Sequence, residues 1–94
     1  MYARRTTLVN ANGLHARPVM QFVSKASEFQ STITLKKLDA HGAEVISGPA
    51  GSIVYVMLMD IAQGTEIELV AEGPDEEVAV DELVQLIESG FGEG

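Results

Sequence analysis

The stretch Asn10-Ala11-Asn12-Gly13-Leu14-His15-Ala16-Arg17-Pro18 marks a place where a strand must stop and a helix must start. Asn10, Asn12 and Gly13 tolerate left-handed backbone and terminate whatever precedes them. Pro18, with its fixed φ and no N–H, suits the first turn of a helix. Between them a single imidazole, His15, stands at the mouth of that helix, with Arg17 two residues on. Free N–H groups and the positive end of the helix dipole make such a place attractive to an anion such as phosphate. One loop therefore holds a nucleophile and a cradle for an anion, and phosphate chemistry at His15 is the expectation. It requires a ring that is reachable and seated at a helix N-terminus.

Upstream, Arg4 to Val9 reads as a strand through Thr6, Thr7, Leu8 and Val9. Downstream, Val19, Phe22, Val23 and Ala26 fall at i, i+3, i+4 and i+7, the apolar stripe of an amphipathic helix that faces a core. Arg17, Met20, Ser24 and Ser27 repeat that spacing on a second face, which begins beside His15 and is where a partner would touch. Thr32 to Lys36 alternates polar and apolar residues, as a half-buried strand does. Asp39-Ala40-His41-Gly42 is turn chemistry, with Ala43 to Ile46 as the returning strand of a hairpin. Ser47 to Gly51 reads as a flexible loop. The apolar run Ile53 to Met59 is assigned to a short helix, because Ser52 is a good N-cap and Gln63-Gly64 a good stop. Thr65 to Ala71 alternates again, with Ile67, Leu69 and Ala71 inward. Gly73-Pro74-Asp75-Glu76-Glu77 opens a last helix with acids in its first turn. Its core stripe is Val80, Leu83, Val84 and Ile87. Gly90 ends it, and Phe91 to Gly94 reads as a tail. The order β-α-β-β-α-β-α implies an α+β domain: a two-layer open-faced sandwich, with a four-stranded, mostly antiparallel sheet and three helices on one face.

The chain has 94 residues, enough for one domain with a modest core, and residues 1–94 are read as that single domain. Fourteen acidic residues against six basic ones give a net charge of −8, which argues against nucleic acid or an anionic membrane as the main partner. The absence of cysteine excludes a disulfide frame and thiol chemistry and fits the cytoplasm. The longest apolar run, Ile53 to Met59, is far shorter than the roughly 20 residues of a membrane span. The expectation is a soluble, cytoplasmic protein with no membrane insertion.

Gly13-Leu14-His15-Ala16-Arg17-Pro18, followed by Gln21-Phe22-Val23, resembles the active-site signature of the HPr family, the histidine-containing phosphocarriers of the bacterial phosphotransferase system. Ser52-Ile53 and Gln63-Gly64-Thr65 stand where that family has its regulatory-serine segment and the glycine before its last strand. The resemblance implies that enzyme I, charged by phosphoenolpyruvate, passes a phosphoryl group to Nδ1 of His15, and that an enzyme IIA domain then takes it. His15 must be neutral to attack, and a helix N-terminus and Arg17 both disfavour the imidazolium. The N–H groups of Ala16 and Arg17, together with the guanidinium, would stabilise the transferred charge. No cofactor or metal is implied.

The family's recognition face, carried over, comprises Ala16, Arg17, Met20, Ser24 and Ser27 with Ile53, Val54 and Met57. Where many relatives carry lysines around it, this chain has Ser24, Ser27, Gly51 and Tyr55, which points to a dedicated partner set. Ser52 matches the serine that a bifunctional HPr kinase/phosphorylase modifies in some members. The loop before it is about three residues longer than usual, and a flanking lysine is missing. Each of these residues also has a plainer reading. Arg17 can be a solvated helix residue, Ser52 an N-cap, Met20 and Met57 packing residues, and His41 a turn residue. The acidic run Glu72 to Glu77 is most simply a capped, solvated helix start. Three rivals to a sugar-transport phosphocarrier stand beside it. The first is a regulatory, nitrogen-branch relative that keeps the phosphorylation. The second is a non-covalent interaction domain in which His15 is never phosphorylated. The third, a small enzyme of ferredoxin-like fold, lacks any nucleophile or acid/base pair beyond this histidine. A phosphocarrier is itself a member of a transferase relay, without turnover alone.

Overall fold

Strand β4 (Glu66–Glu72) lies at the centre of the sheet, because every second residue along it is apolar. Ile67, Leu69 and Ala71 are fully buried on one face, while Glu66, Glu68 and Val70 lie on the other and stay half-exposed. β4 pairs antiparallel with β1 (Tyr2–Thr7) on one side and β2 (Thr32–Leu38) on the other, so that Leu69 stands opposite both Arg4 and Leu35. β3 (Glu44–Pro49) pairs antiparallel with β2, which completes the order β1-β4-β2-β3. The computed structural model describes residues 1–93; Gly94, the last residue of the expected tail, lies outside the described residues.

Helix α1 (Ala16–Ala26) buries Pro18, Val19, Phe22, Val23 and Ala26. Helix α3 (Glu76–Glu88) buries Ala79, Val80, Leu83, Val84 and Ile87. Both stripes join Ile33, Leu35, Ile67, Leu69 and Ala71 in one core, so the second layer of the sandwich is set by helical periodicity meeting strand alternation. Truncating a fully buried side chain here, such as Leu83, costs on the order of 2–5 kcal/mol. The edge strand β1 is fastened by polar groups. The hydroxyl of Tyr2 donates to Asp81 at 2.8 Å, and Thr6 Oγ1 donates to Glu88 at 2.9 Å. Helix α2 (Ile53–Leu58) is short and buries only Val56 outright, with Ile53 packed partly against the core.

The fold class and the element order are as expected, with four boundary differences. β1 covers Tyr2–Thr7, so Leu8 and Val9 lie beyond it, although Leu8 still exchanges backbone hydrogen bonds with Gly64 and Thr65. Ser47, Gly48 and Pro49, expected in a flexible loop, belong to β3. An edge strand has a row of N–H groups without sheet partners, so a proline at its end breaks nothing. α2 stops at Leu58, well before Gln63-Gly64, because Asp60 turns into the left-handed region with φ of 52°. The expected tail folds as well: Gly90–Gly92 makes a single 3-10 turn and buries Phe91.

The acidic start of α3 is more than a solvated face. Asp75 does not cap its own helix; its carboxylate accepts from the backbone N–H groups of Gln30 and Ser31, both at 2.9 Å, and from the Ser31 hydroxyl. These bonds, the hydroxyl foremost, hold the Asp75 carboxyl below its ordinary value of 3.8 and tie the α1–β2 turn to α3.

Candidate functional site

Between β1 and α1 the chain makes two tight turns, in which the Gly13 N–H donates to Asn10 O and the His15 N–H to Asn12 O, each at 3.1 Å. Gly13 has φ of 57°, and a Cβ there would lie 2.4 Å from the carbonyl oxygen of Ile61. Only glycine allows the loop to come so close. Next to it Leu14 is fully buried and its N–H donates to Ile61 O at 2.8 Å. Gly64 N–H to Leu8 O at 2.8 Å, and the Gln63 amide to Val9 O at 3.0 Å, extend the attachment. The His15 loop is thus zipped along the segment that joins α2 to β4.

The C-terminal turn grips the same loop from a second side. Asn10 Nδ2 donates to Gly13 O at 3.1 Å and to Glu93 Oε1 at 2.8 Å, and Asn12 Nδ2 donates to Glu93 Oε2 at 3.0 Å. The Asn10 amide first, then that of Asn12, with Arg17's charge adding, hold the Glu93 carboxyl below its ordinary value of 4.5. Asn10 Oδ1 is left buried without a partner among the described residues. Turning the amide over would break both donor bonds and set its oxygen against two acceptors, Gly13 O and Glu93 Oε1, so the orphaned oxygen is the lesser cost.

His15 is the N-cap of α1, with extended backbone (φ −115°, ψ 166°) and no side-chain cap bond. Its ring is 44% exposed, so the ring is reachable and sits at a helix N-terminus as the sequence requires. The first helical residues, Ala16 and Arg17, have N–H groups with no acceptor inside the helix. Ala16 carries φ of 53°, an unusual setting for a residue with a Cβ that costs about 1–2 kcal/mol. The left-handed step at Ala16 turns the chain sharply between the cap and the helix. Arg17 is exposed and forms no ion pair among the described residues, so its guanidinium is available to an incoming anion.

The ring's partners are two oxygens, one from its own loop and one from far along the chain. Nδ1 lies 2.9 Å from Asn12 O, and Nε2 lies 2.8 Å from Asp60 Oδ1. Both partners are acceptors, so both contacts are hydrogen bonds together only when each nitrogen bears a proton. Asp60 follows directly on the C-cap of α2. Lys37 Nζ donates to the carbonyls of Met59 at 2.9 Å and Asp60 at 3.1 Å, placing a cation where the helix dipole is negative. Asp60, Glu93 and Lys37 were not among the expected site residues. An acid at a helix end that ordinarily takes glycine is a usable signal for the first. Nothing local announces the other two.

The remaining expected residues fall into two groups. Met20, Ser24, Ser27, Val54 and Met57 are exposed on the adjoining helices α1 and α2, and Tyr55 and Leu58 add to that surface. Met20 at 54%, Val54 at 64% and Met57 at 57% are too open to be core packing. Ile53 is partly buried against the core and contributes less. Ser52 is half-buried and caps α2, its Oγ accepting from the Tyr55 N–H at 3.3 Å. His41 is exposed in the β2–β3 turn, where Asp39 accepts from its backbone N–H at 2.8 Å. Among the described residues no group of three or more acidic or histidine side chains is placed to hold a metal ion, and no helix is long and apolar enough to cross a membrane.

Three comparisons place this geometry among known proteins. A family model described as the PTS HPr component phosphorylation site matches residues 2–89. Phosphocarrier protein NPr of Proteus mirabilis is 38% identical over 90 residues, covering 96% of this chain and 94% of its own length. Phosphocarrier protein HPr of Cupriavidus necator is 38% identical over 94 residues, covering 100% of this chain and 99% of its own. The crystal structure of an HPr from Thermoanaerobacter tengcongensis superposes with a TM-score of 0.90 at 40% identity, covering 100% of this chain and 99% of that one. With the histidine loop, the sheet order and the full-length likeness in agreement, this chain belongs to the HPr family of phosphocarriers of the phosphotransferase system.

Proposed function

We propose that this protein accepts a phosphoryl group on Nδ1 of His15 from phosphoenolpyruvate-charged enzyme I and hands it to an enzyme IIA domain, in the cytoplasm. The observation that carries the reading is a half-exposed imidazole at the N-cap of α1, beside an exposed arginine with no ion-pair partner among the described residues. The Nδ1 lone pair attacks phosphorus, the N–P bond forms, and the donor's bond to phosphorus breaks with its electron pair leaving on the donor. The N–H groups of Ala16 and Arg17 and the Arg17 guanidinium take up the charge of the phosphoryl oxygens. For that attack Nδ1 must give up its contact with the Asn12 carbonyl, so a small rotation of the ring is part of the step.

The exposed apolar surface of Met20, Val54 and Met57, with Ser24 and Ser27 beside it, suits transient docking to successive partners, since it borders the histidine and carries little charge. Ser52 is a candidate for an HPr kinase/phosphorylase; a phosphate there would put negative charge on that surface. A regulatory, nitrogen-branch role is the second reading, favoured by the likeness to the Proteus mirabilis NPr.

Incubation with phosphoenolpyruvate and a cognate enzyme I should add one acid-labile phosphoryl group to the wild type and none to His15→Ala. Equal labelling of both would refute the site. The absence of any labelling would leave the non-covalent interaction domain. Transfer from the charged protein to sugar-branch or nitrogen-branch enzyme IIA domains, compared side by side, separates the two roles.

A further inference from the structure

Asp60 occupies a position where a helix end ordinarily turns on glycine or asparagine. Its φ is 52°, and its side chain is 82% exposed, so no apolar packing explains an aspartate there. Its carboxylate nevertheless reaches His15 Nε2 at 2.8 Å across 45 residues of sequence. The approach is fixed from both sides. Lys37 from β2 holds the Met59 and Asp60 carbonyls, and the Leu14 N–H holds the Ile61 carbonyl beside the histidine loop. Among the described residues the other charged groups at the site are Arg17 on α1 and Glu93, the latter engaged by Asn10 and Asn12.

We propose that Asp60 is a positioning residue for phosphoryl transfer at His15, which decides by its bond to Nε2–H that Nδ1 is the nucleophile. The proposal rests on the phosphocarrier reading above. In the neutral ring one proton is shared between two nitrogens that both face oxygen acceptors. A carboxylate is the stronger acceptor, so the proton stays on Nε2 and the lone pair on Nδ1. The same arrangement, in which an acid fixes a histidine's tautomer and orientation through its far nitrogen, recurs in catalytic triads. When Nδ1 bonds phosphorus and the donor departs with its electron pair, Nε2 keeps its proton. The ring then carries a formal positive charge that faces the Asp60 carboxylate. A phosphoryl group approaching Nε2 instead would meet that carboxylate and be repelled. Without Asp60 the Asn12 carbonyl is the one acceptor left against the ring among the described residues, and the proton moves to Nδ1, where it blocks the attacking nitrogen.

Two variants test this without disturbing the fold. Asp60→Gly suits φ of 52° better than aspartate does, and Asp60→Asn tolerates it and still offers an oxygen to Nε2–H. The full chain, labelled with nitrogen-15 at histidine, is followed by NMR in its neutral-ring form, and phosphoramidate serves as a small donor that needs no partner protein. Wild type should show the Nε2–H form and take the phosphoryl group on Nδ1. Asp60→Gly should shift toward the Nδ1–H form and accept phosphoryl about tenfold more slowly, the lower end of what loss of a histidine's orienting partner costs at metal centres. Asp60→Asn should keep the Nε2–H form and recover part of the rate. An Asp60→Gly protein with the wild-type nitrogen spectrum and a rate within twofold of wild type would overturn the proposal. Uptake from phosphoramidate with none from enzyme I would remove the carrier role and leave the Asp60 assignment standing.

Discussion

Replacing Gly13 with alanine tests whether the close seating of the histidine loop on the α2–β4 segment builds the site. The new Cβ would lie 2.4 Å from Ile61 O and 2.8 Å from two Ala62 backbone atoms, distances at which backbone must move. Left-handed φ of 57° costs an alanine about 1 kcal/mol. Displacing the Ile61–Ala62 peptide is an overpacking of about 1–3 kcal/mol. The expected loss is about 3 kcal/mol, and for a domain of this size that lowers the melting midpoint by about 15 °C. The Leu14 N–H to Ile61 O bond of 2.8 Å is the first to lengthen, and with it the separation of His15 from Asp60. Circular dichroism gives the midpoint, and phosphoryl uptake measured well below that midpoint gives the effect on the site. Ala16→Gly is the control. It relieves the strain at φ of 53° and costs backbone entropy of similar size, so its stability should stay within about 1 kcal/mol of wild type. A Gly13→Ala protein that melts within a few degrees of wild type would refute the seating argument.

Other substitutions separate stability from function. Asp75→Asn should flatten the acid limb of the stability curve. The lowered carboxyl of Asp75 contributes stability that is present above its ordinary value of 3.8 and lost as pH falls through the lowered one, so equal slopes in denaturant titrations below about pH 4 would contradict the assignment. Ser52→Ala should cost about 1 kcal/mol through the lost cap and leave phosphoryl uptake at His15 unchanged, as urea unfolding and the enzyme I assay can report. Phe91→Ala empties a site that is 5% exposed and should cost about 3 kcal/mol. It should also release Glu93 from Asn10 and Asn12, visible as faster amide exchange across residues 10–14; protection at the wild-type level would show that the C-terminal turn does not hold the loop.

Local physical chemistry made most of the architecture legible from the amino acids alone. Alternation at Ile67, Leu69 and Ala71 and the spacing of Val19, Phe22, Val23 and Ala26 each specify an element and its buried face, since side-chain direction follows backbone period. The same holds for His15 at a helix mouth, because Asn10 to Pro18 contains the turn and the helix start in one short run. Ser47 to Pro49 has the local look of a loop and is a strand end for a tertiary reason: whether a Gly-Pro pair is a loop or the end of an edge strand depends on what lies alongside it. Phe91 is buried without local warning, because a lone aromatic after a helix carries no period to mark it.

The nucleophile was therefore visible in the sequence, whereas its surroundings were decided by the fold. Asp60 reaches His15 across 45 residues and Glu93 reaches Asn12 across 81, while Lys37 secures the carbonyl of Asp60 from a strand in the middle of the sheet. Such contacts form only after the chain has closed on itself. A single carboxylate has no periodicity, so its hydrogen-bond partner is set by which loops the packed core brings to the same end of the sheet.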